Sequence, residues 1–162
     1  MEREQLTPAI WEMHVPMLRL AMSILRHTQN AEDAVSQAVV SAYARCGTLR
    51  NPEALKPWLM KITARCCYDL LRRRKREVLM ESIPPPAAVF EEPLGDTLFD
   101  KLQELPNGQA QVLLLYYYDG FSTAEIAAVL GLSRPGVSMR LKRGRERLRE
   151  QLAAEVNENE TV

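Results

Sequence analysis

The sequence predicts an all-α fold of two small helical domains joined by a proline-rich linker. Apolar residues recur at helical spacing along most of the chain, and strand-like alternation of useful length is absent. Residues 82–95, SIPPPAAVFEEPLG, interrupt that pattern with three consecutive prolines, which remove donors and favour extended backbone. A length of 162 residues, 46% hydrophobic with seven glycines, fits one ordinary domain or two small ones. The expected division is an N-terminal domain over 1–80, a linker over 81–96, a C-terminal domain over 97–156 and a polar tail over 157–162.

In the N-terminal domain, Pro16 predicts a break, with a short helix near 7–14 and another near 16–27. Asn30 is a suitable N-cap for a helix through Arg45, with Glu32 and Asp33 in its first turn, and Gly47 suits its exit. Asn51 and Pro52 open the next helix, over 52–76. Leu55, Leu59, Ile62, Cys66 and Leu70 form its core stripe. Trp58, Lys61, Arg65, Arg72 and Arg76 share a second face, at about 100° per residue. A basic face edged by an aromatic suits single-stranded or melted nucleic acid, neutralising phosphates and offering a stacking surface. Trp58 serves equally well as an anchor at the edge of the core stripe.

In the C-terminal domain, residues 112–118, VLLLYYY, form an apolar helix whose tyrosines read as core rather than as stacking surface. From Phe121 the chain runs FSTAEIAAVLGLSRPGVSMRLKRGRERLREQL. Ser122 with Glu125 makes a capping box, and Phe121 with Ile126 makes a hydrophobic staple. Gly131 supplies a left-handed turn, Ser133 caps a second helix, and Pro135 is tolerated in its first turn. Val137, Leu141, Gly144, Leu148 and Leu152 form the buried stripe of that helix. Two helices joined by a short glycine turn, the second one basic, are a helix-turn-helix, here at 122–141. The N-terminal residues of its second helix reach base edges. Arg134, Ser138, Met139 and Lys142 are therefore candidates for base contact, and Arg140, Arg143, Arg145 and Arg147 for phosphates. Ser133 and Pro135, in the same turn, complete the set.

Charge supports two polyanion contacts. The 21 basic and 21 acidic residues cancel, yet 72–76 reads RRRKR and 134–149 is rich in arginine, while Glu81, Glu91, Glu92, Asp96, Asp100 and Glu104 lie between. No apolar run approaches the ~20 residues of a membrane span, and the start lacks the order of a signal peptide, so a cytoplasmic location without membrane insertion is expected. Cys46, Cys66 and Cys67 read as reduced, packed thiols; neither metal, cofactor nor small-molecule substrate is expected.

These segments together resemble bacterial sigma factors of the extracytoplasmic-function type. MLRLAMSILR, AEDAVSQAVVSAYAR and LKPWLMKITARCCYDLLRRRKR are similar to their region 2. LQELPNGQAQVLLLYYYDGFSTAEIAAVLGLSRPGVSMRLKRGRERLREQL is similar to region 4, so the resemblance spans nearly the whole chain. It implies a non-catalytic subunit that binds core RNA polymerase and promoter DNA, region 4 reading the −35 duplex and region 2 reading and opening the −10 element. It further implies an anti-sigma factor as partner. The candidate −10 residues are Lys56, Trp58, Lys61, Arg65, Arg72, Arg73 and Arg76; Glu32, Asp33 and Gln37 are those for docking on polymerase. The chain departs from the common pattern at Ala38, at Arg65 four residues before Asp69, and at 136–139, GVSM. The competing reading is a stand-alone helix-turn-helix regulator that does not join polymerase.

Overall fold

A computed structural model describes residues 1–81, 97–106 and 108–160. The proline-rich linker expected over 81–96 lies, beyond Glu81, outside the described residues, as does the end of the tail. Among the described residues the chain is helical, without strands, in seven α-helices supplemented by short 3-10 and π turns.

The first helix, α1 (Arg3–Leu25), does not break at Pro16. Leu6, Ile10, Met13, Met17, Leu20 and Ile24 bury one unbroken stripe that continues through the proline. Pro16 leaves the carbonyl four residues back without its helical partner, but that residue, Glu12, is exposed. Packing along six positions therefore outweighs a proline cost of ~3 kcal/mol.

The second helix, α2 (Thr28–Arg45), starts earlier than Asn30 suggests. His27 is its cap, Nδ1 accepting from the Asn30 N–H at 3.2 Å. Asn30 is buried instead, and its Oδ1 accepts from Arg74 of the third helix. Glu32 and Asp33 consequently fall beyond the first turn. The exit at Gly47 is a right-handed 3-10 turn, Cys46–Thr48, not a left-handed cap.

Asn51 caps a 3-10 turn, Pro52–Ala54, by accepting from the Glu53 N–H at 3.1 Å, and α3 (Leu55–Glu81) follows, running beyond the expected end at 76. Leu59 and Ile62 are buried as expected, while Leu55, Cys66 and Leu70 are half-buried. Met60, Ala64 and Cys67 are buried as well. At about 100° per residue the buried arc spans roughly 200° of α3, more than two neighbours need. Three supply it: α1, α2 and the sixth helix all pack on α3.

In the second half come α4 (Thr97–Gln103), α5 (Gln109–Leu113) and a π turn, Leu114–Tyr118. Leu113, Leu114 and Leu115 are buried. The expectation that the tyrosines belong to the core is corrected: Tyr116 is 37% and Tyr117 58% exposed, and Tyr118 is half-buried. The π turn carries them round to the surface after three leucines have filled the interior. Then come α6 (Thr123–Leu130) and α7 (Arg134–Glu160). Val137, Leu141 and Gly144 are buried and Leu148 partly, but Leu152 is 40% exposed, lining an open apolar groove with Leu98 and Leu102 of α4, and α7 continues as helix into the expected tail.

A single apolar core runs through both halves. Helix α1 contacts α5 and the π turn, and α3 contacts α6, so the two halves lie against each other.

Candidate nucleic-acid interface

The helix-turn-helix forms as its local chemistry dictates. Ser122 Oγ accepts from the Glu125 N–H at 3.1 Å, and the Glu125 carboxylate accepts from the Ser122 N–H at 3.0 Å. Phe121 and Ile126 are both buried. Gly131 adopts φ +67°, and the next N–H, of Leu132, returns to the Ala127 carbonyl at 2.9 Å, closing α6. Ser133 Oγ accepts from the Gly136 N–H at 3.1 Å and caps α7, so its hydroxyl is spent on the helix start. Arg134, Pro135, Ser138, Met139, Lys142, Arg143 and Arg147 are exposed along the first turns of α7.

Two arginines of this set turn inward. The Arg145 guanidinium sits 5.7 Å and 5.8 Å from the ring centres of Tyr116 and Tyr117, whose rings meet edge to face at 5.0 Å. Arg140 lies over Gly108, where any Cβ would collide with its guanidinium, and near enough to Tyr68 of α3 to favour that phenolate. Burial dominates at Tyr68 all the same and raises its pKa.

On α3, Arg65, Arg72, Arg73 and Arg76 are exposed, and Lys61 and Trp58 are half-buried on the same side. Trp58 touches the core, which fits the anchor reading, and stays open enough to stack. Lys56 is exposed and paired with Glu12 at 2.7 Å, while Arg72 pairs with Asp69. Within the basic run, Arg74 is withdrawn from the surface by Asn30.

On α2, Glu32, Asp33 and Gln37 are exposed together; Asp33 accepts from Gln29 at 3.0 Å. Val40, one turn further along the same face, is 63% exposed and extends it with apolar surface. The signal for Val40 was present in the sequence as an apolar residue on the polar side of α2. Gln37 also borders a groove of about 600 Å³ with Ser41, Cys66, Asp69, Arg72, Arg73 and Arg76, which joins this face to the basic face of α3. Cys66 in that groove has its thiol pKa raised by burial, and Cys67 beneath it is pushed up to about 12 by burial, then by Cys66. Both are poor nucleophiles.

The fold and its exposed faces define an all-helical protein with a helix-turn-helix in one half and a basic, aromatic-edged helix in the other. Residues 10–77 match the family model for sigma-70 region 2, and residues 96–148 match that for sigma-70 region 4. The chain is 33% identical over 140 residues to RNA polymerase sigma factor SigV of Bacillus subtilis, covering 85% of this chain and 84% of that protein. It is 30% identical to the ECF sigma factor SigM of Mycobacterium tuberculosis, covering 83% and 70%. Among solved structures, the sigma factor RpoE of Bartonella quintana, in complex with the anti-sigma factor NepR, overlays 93% of this chain and 98% of its own at a TM-score of 0.78 and 24% identity. The chain belongs to the sigma-70 family, among the extracytoplasmic-function sigma factors.

Proposed function

We propose that this protein is an alternative sigma factor that binds core RNA polymerase and directs initiation at its own class of promoters. Region 4, over 97–156, engages the −35 duplex through the first turns of α7, and region 2, over 1–80, engages and helps to open the −10 element through α3. The observation that carries the reading is the presence on one chain of three exposed faces with different chemistry. These are the arginine-rich start of α7, the basic face of α3 edged by Trp58, and the acidic and polar face of α2 ending in Val40. A stand-alone regulator needs only the first of these. Glu32, Asp33 and Gln37 are assigned to polymerase docking. The chemistry of transcription belongs to the polymerase, and this subunit works in the cytoplasm without a cofactor. No helix among the described residues is long and apolar enough to cross a membrane. An anti-sigma factor is a further proposed partner, since the RpoE relative was solved with one.

The test is pull-down with core RNA polymerase followed by run-off transcription. The wild type is expected to bind and to initiate, and the triple variant Glu32→Ala, Asp33→Ala, Gln37→Ala to lose at least tenfold in affinity while keeping its binding to −35 duplex. Absence of polymerase binding by the wild type would sink the sigma-factor reading.

A further inference from the structure

The exposed face of α7 has an apolar centre among its cations. Val137, Leu141, Gly144 and Leu148 turn to the core. At about 100° per residue, Met139 lies about 180° from the middle of that stripe, so it is the most outward side chain of the first turns. It is 48% exposed. Among the described residues of α7 before Leu152, it is the one exposed large apolar side chain.

Its neighbours leave it open. Pro135, one turn before and exposed, lies about 40° round the helix and adds apolar surface. Gly136, three residues before, has no side chain to screen it, and that of Ser138 is short. Lys142 and Arg143, three and four residues on, are exposed about 50° to either side. Two turns on, Glu146 is exposed on nearly the same line, and its carboxylate is repelled by phosphate, so base contact ends before it. The centre of the face is therefore a thioether set behind a proline and between two cations.

A single exposed apolar side chain calls for no explanation on most surfaces. Position changes that here, because the central residue of a helix laid in the major groove meets base edges rather than phosphates. Met139 brings no donor and only a weak sulfur acceptor. Against a guanine, adenine or cytosine edge it would cover polar groups without pairing them, at a cost comparable to a lost hydrogen bond. Thymine alone presents a methyl group in the major groove. Burying that methyl against the thioether is favourable, and the unbranched methionine chain adapts to its position.

We infer that Met139 is a specificity-determining residue, and that the −35 element of this protein carries a thymine whose C5-methyl packs against it, with Pro135 extending the apolar patch. The inference rests on the reading of region 4 as the −35 binder. It adds the base chemistry that the chain selects where residues 136–139 read GVSM.

The experiment uses the full chain, alone and bound to core polymerase, to select from a duplex library randomised over one helical turn, about ten base pairs. The most enriched duplex is then remade with deoxyuridine in place of each thymine in turn, a change that removes only the methyl. One of these substitutions is expected to lower affinity about fourfold, the worth of one methyl group withdrawn from water. Met139→Ala should bind the thymine duplex more weakly by a similar factor and be indifferent to that uracil. Met139→Leu, which keeps the apolar bulk, should remain sensitive to it. Because Met139 is exposed, neither change disturbs the core. An enriched duplex that tolerates uracil at every thymine overturns the inference and leaves the −35 reading standing. So does a Met139→Ala variant as sensitive to uracil as the wild type. Absence of any enriched sequence, with and without polymerase, removes the −35 reading and the inference with it.

Discussion

At the scale of single residues, the first turns of α7 separate side chains free to meet DNA, as proposed, from those spent on scaffolding. Ser133 is committed to the cap, and Arg145 to the Tyr116 and Tyr117 rings, whereas Arg134 and Lys142 are exposed without such ties among the described residues. Arg134→Ala and Lys142→Ala should each weaken −35 duplex binding by about 1–3 kcal/mol and leave polymerase binding intact. Fluorescence anisotropy with labelled duplex measures this, and unchanged affinity would refute the assigned face. The exposure of the proposed DNA-facing side chains was legible from helical spacing. The inward turn of Arg140 and Arg145 was not, because their partners, Gly108, Tyr68, Tyr116 and Tyr117, come from other elements and from a π turn that no local pattern announces.

Asp119 gives a second prediction at this scale. Burial raises its pKa from 3.8 to about 6, and Arg19 lowers it by less. The native carboxyl thus holds its proton to higher pH than the unfolded one does. Its contribution to stability is complete below 3.8 and is lost as pH rises through about 6. At pH 7.5 the buried charge is a cost that Asp119→Asn removes, stabilising the protein by about 1 kcal/mol after allowance for solvent screening at a partly exposed site. The difference between variant and wild type should shrink as pH is lowered from 7.5 towards 4. Thermal melts at several pH values check it; a constant difference would mean that the carboxyl titrates normally.

At the scale of elements, the caps of the helix-turn-helix were readable, whereas the cap of α2 and the continuity of α1 through Pro16 were not. Ser122, Glu125 and Gly131 sit where sequence chemistry puts them, because capping is decided within four or five residues. Pro16 failed as a breaker because its cost is local, whereas the stripe from Leu6 to Ile24 gains along the whole helix. Asn30 looked like a cap, but its partner Arg74 is 44 positions away. Two glycines separate backbone conformation from close approach. At Gly131, with φ +67° and open space around a Cβ, alanine should cost about 1–2 kcal/mol through backbone strain alone. At Gly144, an added Cβ would meet Leu113 Cδ1 at 2.9 Å, so alanine should cost about 1–3 kcal/mol despite its better helix propensity. Urea unfolding distinguishes the two when each is paired with Leu113→Ala. That change should relieve Gly144→Ala and leave Gly131→Ala unaffected.

At the scale of the whole molecule, the sequence read as two bodies, and the structure closes them on one core. The signal for closure was present in α3, where Met60, Ala64 and Cys67 add a second apolar stripe to the first. A single-stripe reading stops at Leu55, Leu59, Ile62, Cys66 and Leu70. The opposite side of α3 remains open to nucleic acid, and that division of one helix between a buried arc and a basic face yields the last prediction. Lys61 is half-buried and Arg65 exposed on the face that carries Trp58. With both changed to alanine, binding to a single-stranded −10 oligonucleotide should lose two phosphate contacts, and the slope of log affinity against log salt should fall by about 1.4. Open-complex formation, followed by permanganate reactivity of −10 thymines, should drop about tenfold, while −35 duplex binding through α7 stays within twofold. An unchanged salt slope would remove these two side chains from the phosphate path. A parallel loss at −35 would instead mean that α3 acts on DNA through its packing against α6.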